Sequence, residues 1–223
     1  MLLERERELV VRYARRLRPD GLVVGTAGNL SLRSDTLTVV TPTSVDYDEL
    51  DAASIAVVNE GGLRVDGAFR PSSELPMHLG AYAATGAGAV VHTHSPFATA
   101  LATAGIELPP IHYLAADLGG RVRVAPYATF GSRQLAKSVA EGLEGRNAVL
   151  LERHGTLTIG ETLEQAYARA VTLEWLAALF VRASSLAPLR PLDDGELERV
   201  AARLDGCRRE RGSRSRAPAA ATS

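Results

Sequence analysis

Lysine is almost absent from this chain. Lys137 is the single lysine among 25 basic residues, and it sits in an amphipathic helical pattern, Gln134-Leu135-Ala136-Lys137-Ser138-Val139-Ala140. Schiff-base chemistry needs a lysine desolvated in a pocket. A solvated helix face is the expected place for Lys137, so any carbonyl chemistry here is expected to run on a metal. Cysteine is equally scarce: Cys207 stands alone, which excludes an intramolecular disulfide. No apolar run approaches the roughly 20 residues that span a bilayer. Neither sign of charge dominates. A formal net charge of -1 and a pI near 6.5 give no bulk attraction to nucleic acid or to an anionic membrane, which leaves a small soluble partner. The opening residues Met1 to Glu8 alternate charges where a signal peptide needs an apolar core, so the expected setting is cytoplasmic.

The 223 residues fit one domain, with no internal repeat and no interior linker. That domain is expected over residues 1–210, with 211–223 a disordered basic tail, because the Arg-, Ser-, Ala- and Pro-rich end has no apolar periodicity. Leu9, Val10, Tyr13, Ala14 and Leu17 share one face of a helix over 3–17 that Pro19-Asp20-Gly21 stops. Strand patterns follow over 29–33, 36–41, 55–59 and 63–65, the last two joined by the turn Glu60-Gly61-Gly62. Further helices are expected over 73–84, 96–104, 133–143 and 162–182. Short strands are expected over 89–94, 122–125, 148–151 and 156–159. The fold class is α/β of the α+β type: a central, mainly antiparallel sheet flanked by helices.

The densest chemical signal lies at strand ends. In His92-Thr93-His94, alternation points both imidazoles to one face. His154 ends the apolar run Val149-Leu150-Leu151, and a fold that sets the two strand ends side by side completes a His₃ set, the ligand count of a catalytic zinc site. Ser72-Ser73-Glu74 reads as a helix start, whose free N–H groups and dipole favour an anion such as phosphate. Gly25-Thr26-Ala27-Gly28-Asn29 and Thr41-Pro42-Thr43-Ser44 are also rich in neutral donors at strand ends. If the three segments converge they form a phosphate pocket without lysine or arginine. Glu74 is then a fourth ligand or a proton carrier. His78, on the same helical face, is read as packed against the core, and His112 is given no metal role.

Gly28-Asn29-Leu30-Ser31, Thr41-Pro42-Thr43-Ser44, Ser72-Ser73-Glu74, His92-Thr93-His94 and His154-Gly155 occur in the order and spacing of the class II aldolase/adducin family. The resemblance extends from about Leu3 to about Arg182. Ile111-His112-Tyr113 and Ala125-Pro126-Tyr127-Ala128-Thr129-Phe130-Gly131 are most similar to its L-fuculose-1-phosphate aldolase branch. The resemblance implies zinc, one per subunit, on His92, His94 and His154, with Glu74 contacting it in the free enzyme. It implies a substrate phosphate held by Asn29, Thr43, Ser44, Ser72 and Ser73, with Thr26 and Gly28 lining the pocket. Tyr113 matches a catalytic tyrosine that reaches a neighbouring subunit's site, which implies a homotetramer with active sites at subunit interfaces. The implied reaction is reversible cleavage of L-fuculose 1-phosphate, or a similar ketose 1-phosphate, to dihydroxyacetone phosphate and L-lactaldehyde. No tyrosine follows Asp193, where the branch carries another in its closing segment. A 5-deoxyribulose-1-phosphate aldolase and a methylthioribulose-1-phosphate dehydratase remain open alternatives. An L-ribulose-5-phosphate 4-epimerase is disfavoured, since those relatives carry aspartate after the Ser-Ser pair. A non-catalytic adducin-like scaffold has no need of the metal ligands, all of which stand in place here.

Overall fold

Short β-branched runs, cut by glycine and aspartate turns, form eight strands. They are β1 (Asn29–Ser34), β2 (Leu37–Val40), β3 (Ala56–Asn59), β4 (Arg64–Asp66), β5 (Ala89–Thr93), β6 (Arg123–Ala125), β7 (Ala148–Leu151) and β8 (Gly155–Gly160). In this computed structural model, which describes residues 1–215, with side-chain surroundings through Arg208, they make one sheet. Its order is β4-β3-β2-β1-β5-β8-β7-β6. Every neighbouring pair is antiparallel except β6 beside β7. The helices are α1 (Glu4–Leu17), α2 (Leu75–Thr85), α3 (Pro96–Ala104), α4 (Arg133–Gly142), α5 (Leu163–Ser184) and α6 (Asp194–Ser215). The expected mainly antiparallel sheet with flanking helices is the architecture observed. Among the described residues no helix is long and apolar enough to cross a membrane.

Strand alternation sorts side chains between two helical layers. Along β5, Ala89 and Val91 join Val10 and Leu17 of α1 and Ala166 and Tyr167 of α5 in one core. Val90, between them, faces the other way and meets Met77 and Ala81 of α2 and Leu135 and Val139 of α4. Each fully buried aliphatic side chain contributes about 1.5–3 kcal/mol, an upper estimate. Two residues past Val90 along the same face comes His92. Residues of α3 and α6 extend the first layer over β7. The N-terminal N–H groups of α3, on Phe97 and Ala98, each bond the Glu174 carboxylate of α5 at 2.9 Å.

Two elements differ from the sequence reading. Helix α2 starts at Leu75, since Ser72 Oγ accepts from Glu74 N at 3.2 Å and Ser72 O from Leu75 N at 3.1 Å, which makes Ser72 to Glu74 a turn leading into the helix. Helix α6 has no counterpart in that reading, because its sequence is dominated by Arg and Glu. Its apolar stripe, Leu197, Val200, Ala201 and Leu204, keeps helical spacing and packs on the core. Asp117 fastens it by pairing with both Arg208 (2.5 Å) and Arg169 (3.1 Å). The helical backbone runs to Ser215, into the stretch expected as a disordered tail. The rest of that expectation falls on residues 216–223, outside the described residues.

Gly88 marks the tightest approach between strands. Its N–H donates to Gly160 O (2.9 Å) and its carbonyl accepts from Arg33 N (2.8 Å), and a Cβ there would lie on the Glu161 carbonyl oxygen. Gly88→Ala is therefore expected to cost about 1–3 kcal/mol through overpacking, read as a lowered urea midpoint. An unchanged midpoint would show that this junction yields freely.

Candidate active site and metal centre

The ends of β5 and of the β7–β8 turn meet at one end of the sheet. β5 pairs with β8 so that His92 lies opposite Leu157 and Thr93 opposite Thr156, and β7 closes on β8 with Leu151 opposite Gly155. His94, just past β5, is anchored by its N–H on Leu22 O (3.0 Å), and His154 by its N–H on Leu151 O (3.0 Å). The three imidazole centroids lie 4.8, 4.9 and 5.1 Å apart. Gly155 permits this crowding: a Cβ would press on the Thr93 carbonyl and come within 3.3 Å of the His92 ring.

Glu74 closes the group. Its Oε2 is 3.1 Å from His92 Nε2 and its Oε1 is 3.1 Å from His154 Nε2. One potential ligand atom from each of Glu74, His92, His94 and His154 lies within 4.8 Å of all the others. His92 Nδ1 is 2.8 Å from Thr156 O; a carbonyl only accepts, so this nitrogen carries the proton and Nε2 is left to face the cluster. There it meets His94 Nε2 at 2.9 Å as well as Glu74. Burial, then positive charge on His92 and His154, pushes the His94 imidazole down to about 3, so it stays neutral. Burial pushes the Glu74 carboxyl up. Charge on His92, the adjacent His154 and His92 imidazoles and the hydrogen bond from Asn29 outweigh it, so the group is held well below the usual range and is a carboxylate. Glu74 Oε1 is buried without a well-directed hydrogen bond, despite its proximity to His154. The centre of the cluster calls for positive charge. A second proton on His92 would serve Glu74 alone, whereas a divalent cation satisfies all four groups at once, and the donor set of three imidazoles and a carboxylate fits such an ion.

The neutral-donor segments converge beside this cluster. Thr43 N donates to Arg70 O (3.2 Å) and Ser72 N to Thr41 O (3.0 Å), which stitches the 41–44 and 70–73 segments side by side. Gly28 has φ 139, and a Cβ on it would come within 2.6 Å of Val23 Cγ1, so the turn into β1 depends on glycine. Ser44 holds a left-handed backbone, φ 57, without being glycine, a cost of about 1 kcal/mol or more that tends to persist at functional sites. A cleft of about 350 Å³ results. Thr26, Gly28, Asn29, Thr43, Ser44, Ser72 and Ser73 all line it, together with Glu74, His94 and His154; His92 lies behind them, fully buried. All seven phosphate candidates thus share one cleft with the metal candidates.

Tyr113 is not part of that wall within one chain. It opens a short 3₁₀ turn, Tyr113–Leu118, half exposed and stacked on His112, whose ring lies against Trp175. His112 thus stands apart from the cluster. Lys137 is exposed on α4 beside Glu141, as expected. Tyr127, Phe130 and Arg153 also line the cleft, and the residue-level reading gave them no role. Their signals were local. Gly131, with φ 73 and Ser73 O within 2.6 Å of where its Cβ would be, draws the 126–131 loop over the site. Arg153 occupies the tight turn beside His154 in a left-handed conformation, φ 53.

Known proteins are similar to this chain in sequence and in fold. The family described as Class II Aldolase and Adducin N-terminal domain matches residues 8–181. A 5-deoxy-D-ribulose 1-phosphate aldolase of Bacillus thuringiensis serovar kurstaki is 38% identical over 209 residues, which are 92% of this chain and 98% of the relative. An L-fuculose phosphate aldolase of Escherichia coli K12 is 38% identical over 180 residues, 79% of this chain and 83% of the relative. A solved L-fuculose 1-phosphate aldolase superposes with a TM-score of 0.88 at 35% identity, covering 90% of this chain and 96% of its own. The match takes in the whole sheet and every residue of the cluster, and the chain belongs to the class II aldolase and adducin family.

Proposed function

We propose that the protein is a zinc-dependent aldolase that reversibly cleaves a deoxyketose 1-phosphate between C3 and C4, giving dihydroxyacetone phosphate and a short aldehyde. One observation carries the reading: a single cleft has neutral phosphate donors along one wall and three imidazoles with a carboxylate at its end. 5-Deoxyribulose 1-phosphate, which would release acetaldehyde, is the foremost substrate, because the Bacillus relative is matched over 98% of its length. L-Fuculose 1-phosphate, which would release L-lactaldehyde, is the second, supported by the structural likeness. The lack of tyrosine after Asp193 bears on aldehyde preference. In this reading the protein is a cytoplasmic homotetramer with a single domain over 1–210. Tyr113 of one subunit enters a neighbour's cleft, and the exposure of its ring and of Trp175, both packed on His112, is in keeping with that.

His92, His94 and His154 would hold the cation and leave it room for substrate oxygens. Bound zinc supplies Lewis-acid stabilisation of the negative charge that develops on the ketose oxygens as the bond breaks. Thr26, Asn29, Thr43, Ser44, Ser72 and Ser73 grip the phosphate, with Gly28 giving it close access to backbone. This fixes C3 against Glu74, so the reacting atoms are ordered before the step. In the direction of bond formation, ionised Glu74 removes a proton from C3 of dihydroxyacetone phosphate, and the phenol of Tyr113 from the neighbouring subunit protonates the aldehyde oxygen. Cleavage is the reverse. Its lowered pKa keeps Glu74 ionised, and so able to accept that proton.

A substrate panel tests the reading. Chelator-sensitive release of dihydroxyacetone phosphate is expected from 5-deoxyribulose 1-phosphate and, second, from L-fuculose 1-phosphate. Epimerisation of L-ribulose 5-phosphate, or loss of water from methylthioribulose 1-phosphate, with no triose phosphate released, would replace the aldolase by another activity of the family. Glu74→Gln is expected to retain the metal and to slow solvent exchange of the C3 proton of dihydroxyacetone phosphate by about 10²–10⁴-fold; undiminished exchange would remove Glu74 as the base.

A further inference from the structure

Glu74, His78 and Tyr82 follow one another at four-residue spacing from the turn that opens α2, and so share one stripe of it. Beneath that stripe, alternation along β1 turns Asn29 and Ser31 to the same face of the sheet. The two rows close into a continuous chain. Asn29 Nδ2 donates to Glu74 Oε2 at 2.9 Å. Asn29 Oδ1 lies 2.5 Å from His78 Nε2, His78 Nδ1 lies 2.7 Å from Ser31 Oγ, and Ser31 Oγ lies 2.6 Å from Tyr82 Oη. His78 and Ser31 are fully buried, and Asn29 and Tyr82 are nearly so.

With Glu74 ionised, one consistent set of directions runs along the chain. An ionised carboxylate only accepts, so Asn29 must turn its amide N–H toward Glu74 and its carbonyl toward His78. His78 Nε2 must then be the donor. Burial, then charge on His92, holds His78 down to about 3, so the ring is neutral and Nδ1 is an acceptor, filled by the Ser31 hydroxyl. Ser31 in turn accepts from Tyr82, whose phenol burial pushes above its ordinary range. With His78 neutral, each of these bonds has a single direction. A primary amide stands in the middle of the chain and does not readily pass a proton on, so the chain orients groups rather than conducting protons.

We infer that His78 is a positioning residue: it locks the Asn29 amide so that an N–H, and not a carbonyl oxygen, faces Glu74. The inference rests on the reading of Glu74 as the proton-moving carboxylate. Without a donor at His78 the Asn29 amide is held in this sense by Glu74 alone, and turning over would bring its carbonyl oxygen against Glu74 Oε2 and drive two acceptors apart. Glu74 Oε2 then loses one of its two contacts and is left with His92 Nε2 at 3.1 Å, which loosens the aim of Oε1 at His154. Ser31 and Tyr82 act one step further back, by fixing the tautomer of His78.

Two variants separate positioning from mere packing. Gln at 78 extends an amide N–H to about the place of Nε2, whereas Asn is too short to reach Asn29. In His78→Asn, with the protein folded and metal-loaded, exchange of the C3 proton of dihydroxyacetone phosphate is expected to fall about 10–100-fold, as for loss of a group supporting a metal ligand. His78→Gln is expected to restore it to within a few-fold of wild type at a similar Tm. Equal losses in both variants, or none in His78→Asn, would overturn the inference. A second readout needs no turnover: ¹⁵N NMR should show His78 protonated at Nε2 and bare at Nδ1, with Ser31→Ala giving a mixture of tautomers and slower exchange. A bare Nε2 in the wild type would overturn the inference by itself. Should the wild type exchange no C3 proton, the aldolase reading fails, and the tautomer alone decides whether His78 positions Asn29.

Discussion

The antiparallel register of β5 against β8 is the constraint on which the site depends. It sets Thr93 opposite Thr156 and His92 opposite Leu157, so the two strand ends carrying histidines finish level with one another. A one-residue slip would turn every side chain of β5 to the other face, removing His92 from the cluster and exchanging Val90 and Val91 between the two helical layers. The same hydrophobic alternation that buries Val90 against α2 and α4 and Val91 against α1 and α5 therefore also aims His92. Stability and site geometry share one register. Helix α2 lies on that face, which is why Glu74, in the turn that opens it, meets the imidazoles.

Electrostatics divides the cleft into two halves with different tasks. The side proposed to take the phosphate is built from hydroxyls, amides and backbone, so a bound dianion would be held there by hydrogen bonds from fixed dipoles, with Arg153 the one cation lining the cleft. At the other end, a buried carboxylate and three crowded imidazoles call for positive charge in their midst. A substrate lying between them would have its anionic end ordered and its reacting carbons beside the cation. The polar chain from Tyr82 to Asn29 extends this design beneath the surface, since buried polar groups specify one arrangement when each has its partner.

Much of this was legible in the sequence, for identifiable reasons. His92-Thr93-His94 was readable because alternation is a geometric necessity of a strand, and His154 because it ends an apolar run at a glycine. The three neutral-donor segments were readable as strand-end and helix-start chemistry, although only tertiary stitching, such as Thr43 N to Arg70 O, makes them one pocket. Helix α6 escaped because four apolar residues among many charges make a weak stripe whose partners lie elsewhere in the chain. The role of His78 escaped for a similar reason: its four-residue spacing from Glu74 and Tyr82 was visible, but its pairing with Asn29 and Ser31 depends on α2 lying over β1. Tyr127, Phe130 and Arg153 are brought to the cleft by loop paths that no periodicity encodes.

Everything in the proposed chemistry turns on whether the Glu74, His92, His94 and His154 cluster is a catalytic metal centre. Its most direct test is a titration of zinc into chelator-treated protein, following both bound metal and release of dihydroxyacetone phosphate from 5-deoxyribulose 1-phosphate or L-fuculose 1-phosphate. A folded, inactive apoprotein is expected, with activity that rises in proportion to bound zinc and breaks at one ion per chain. Activity that survives metal removal, or full loading with no cleavage of either substrate, would contradict it.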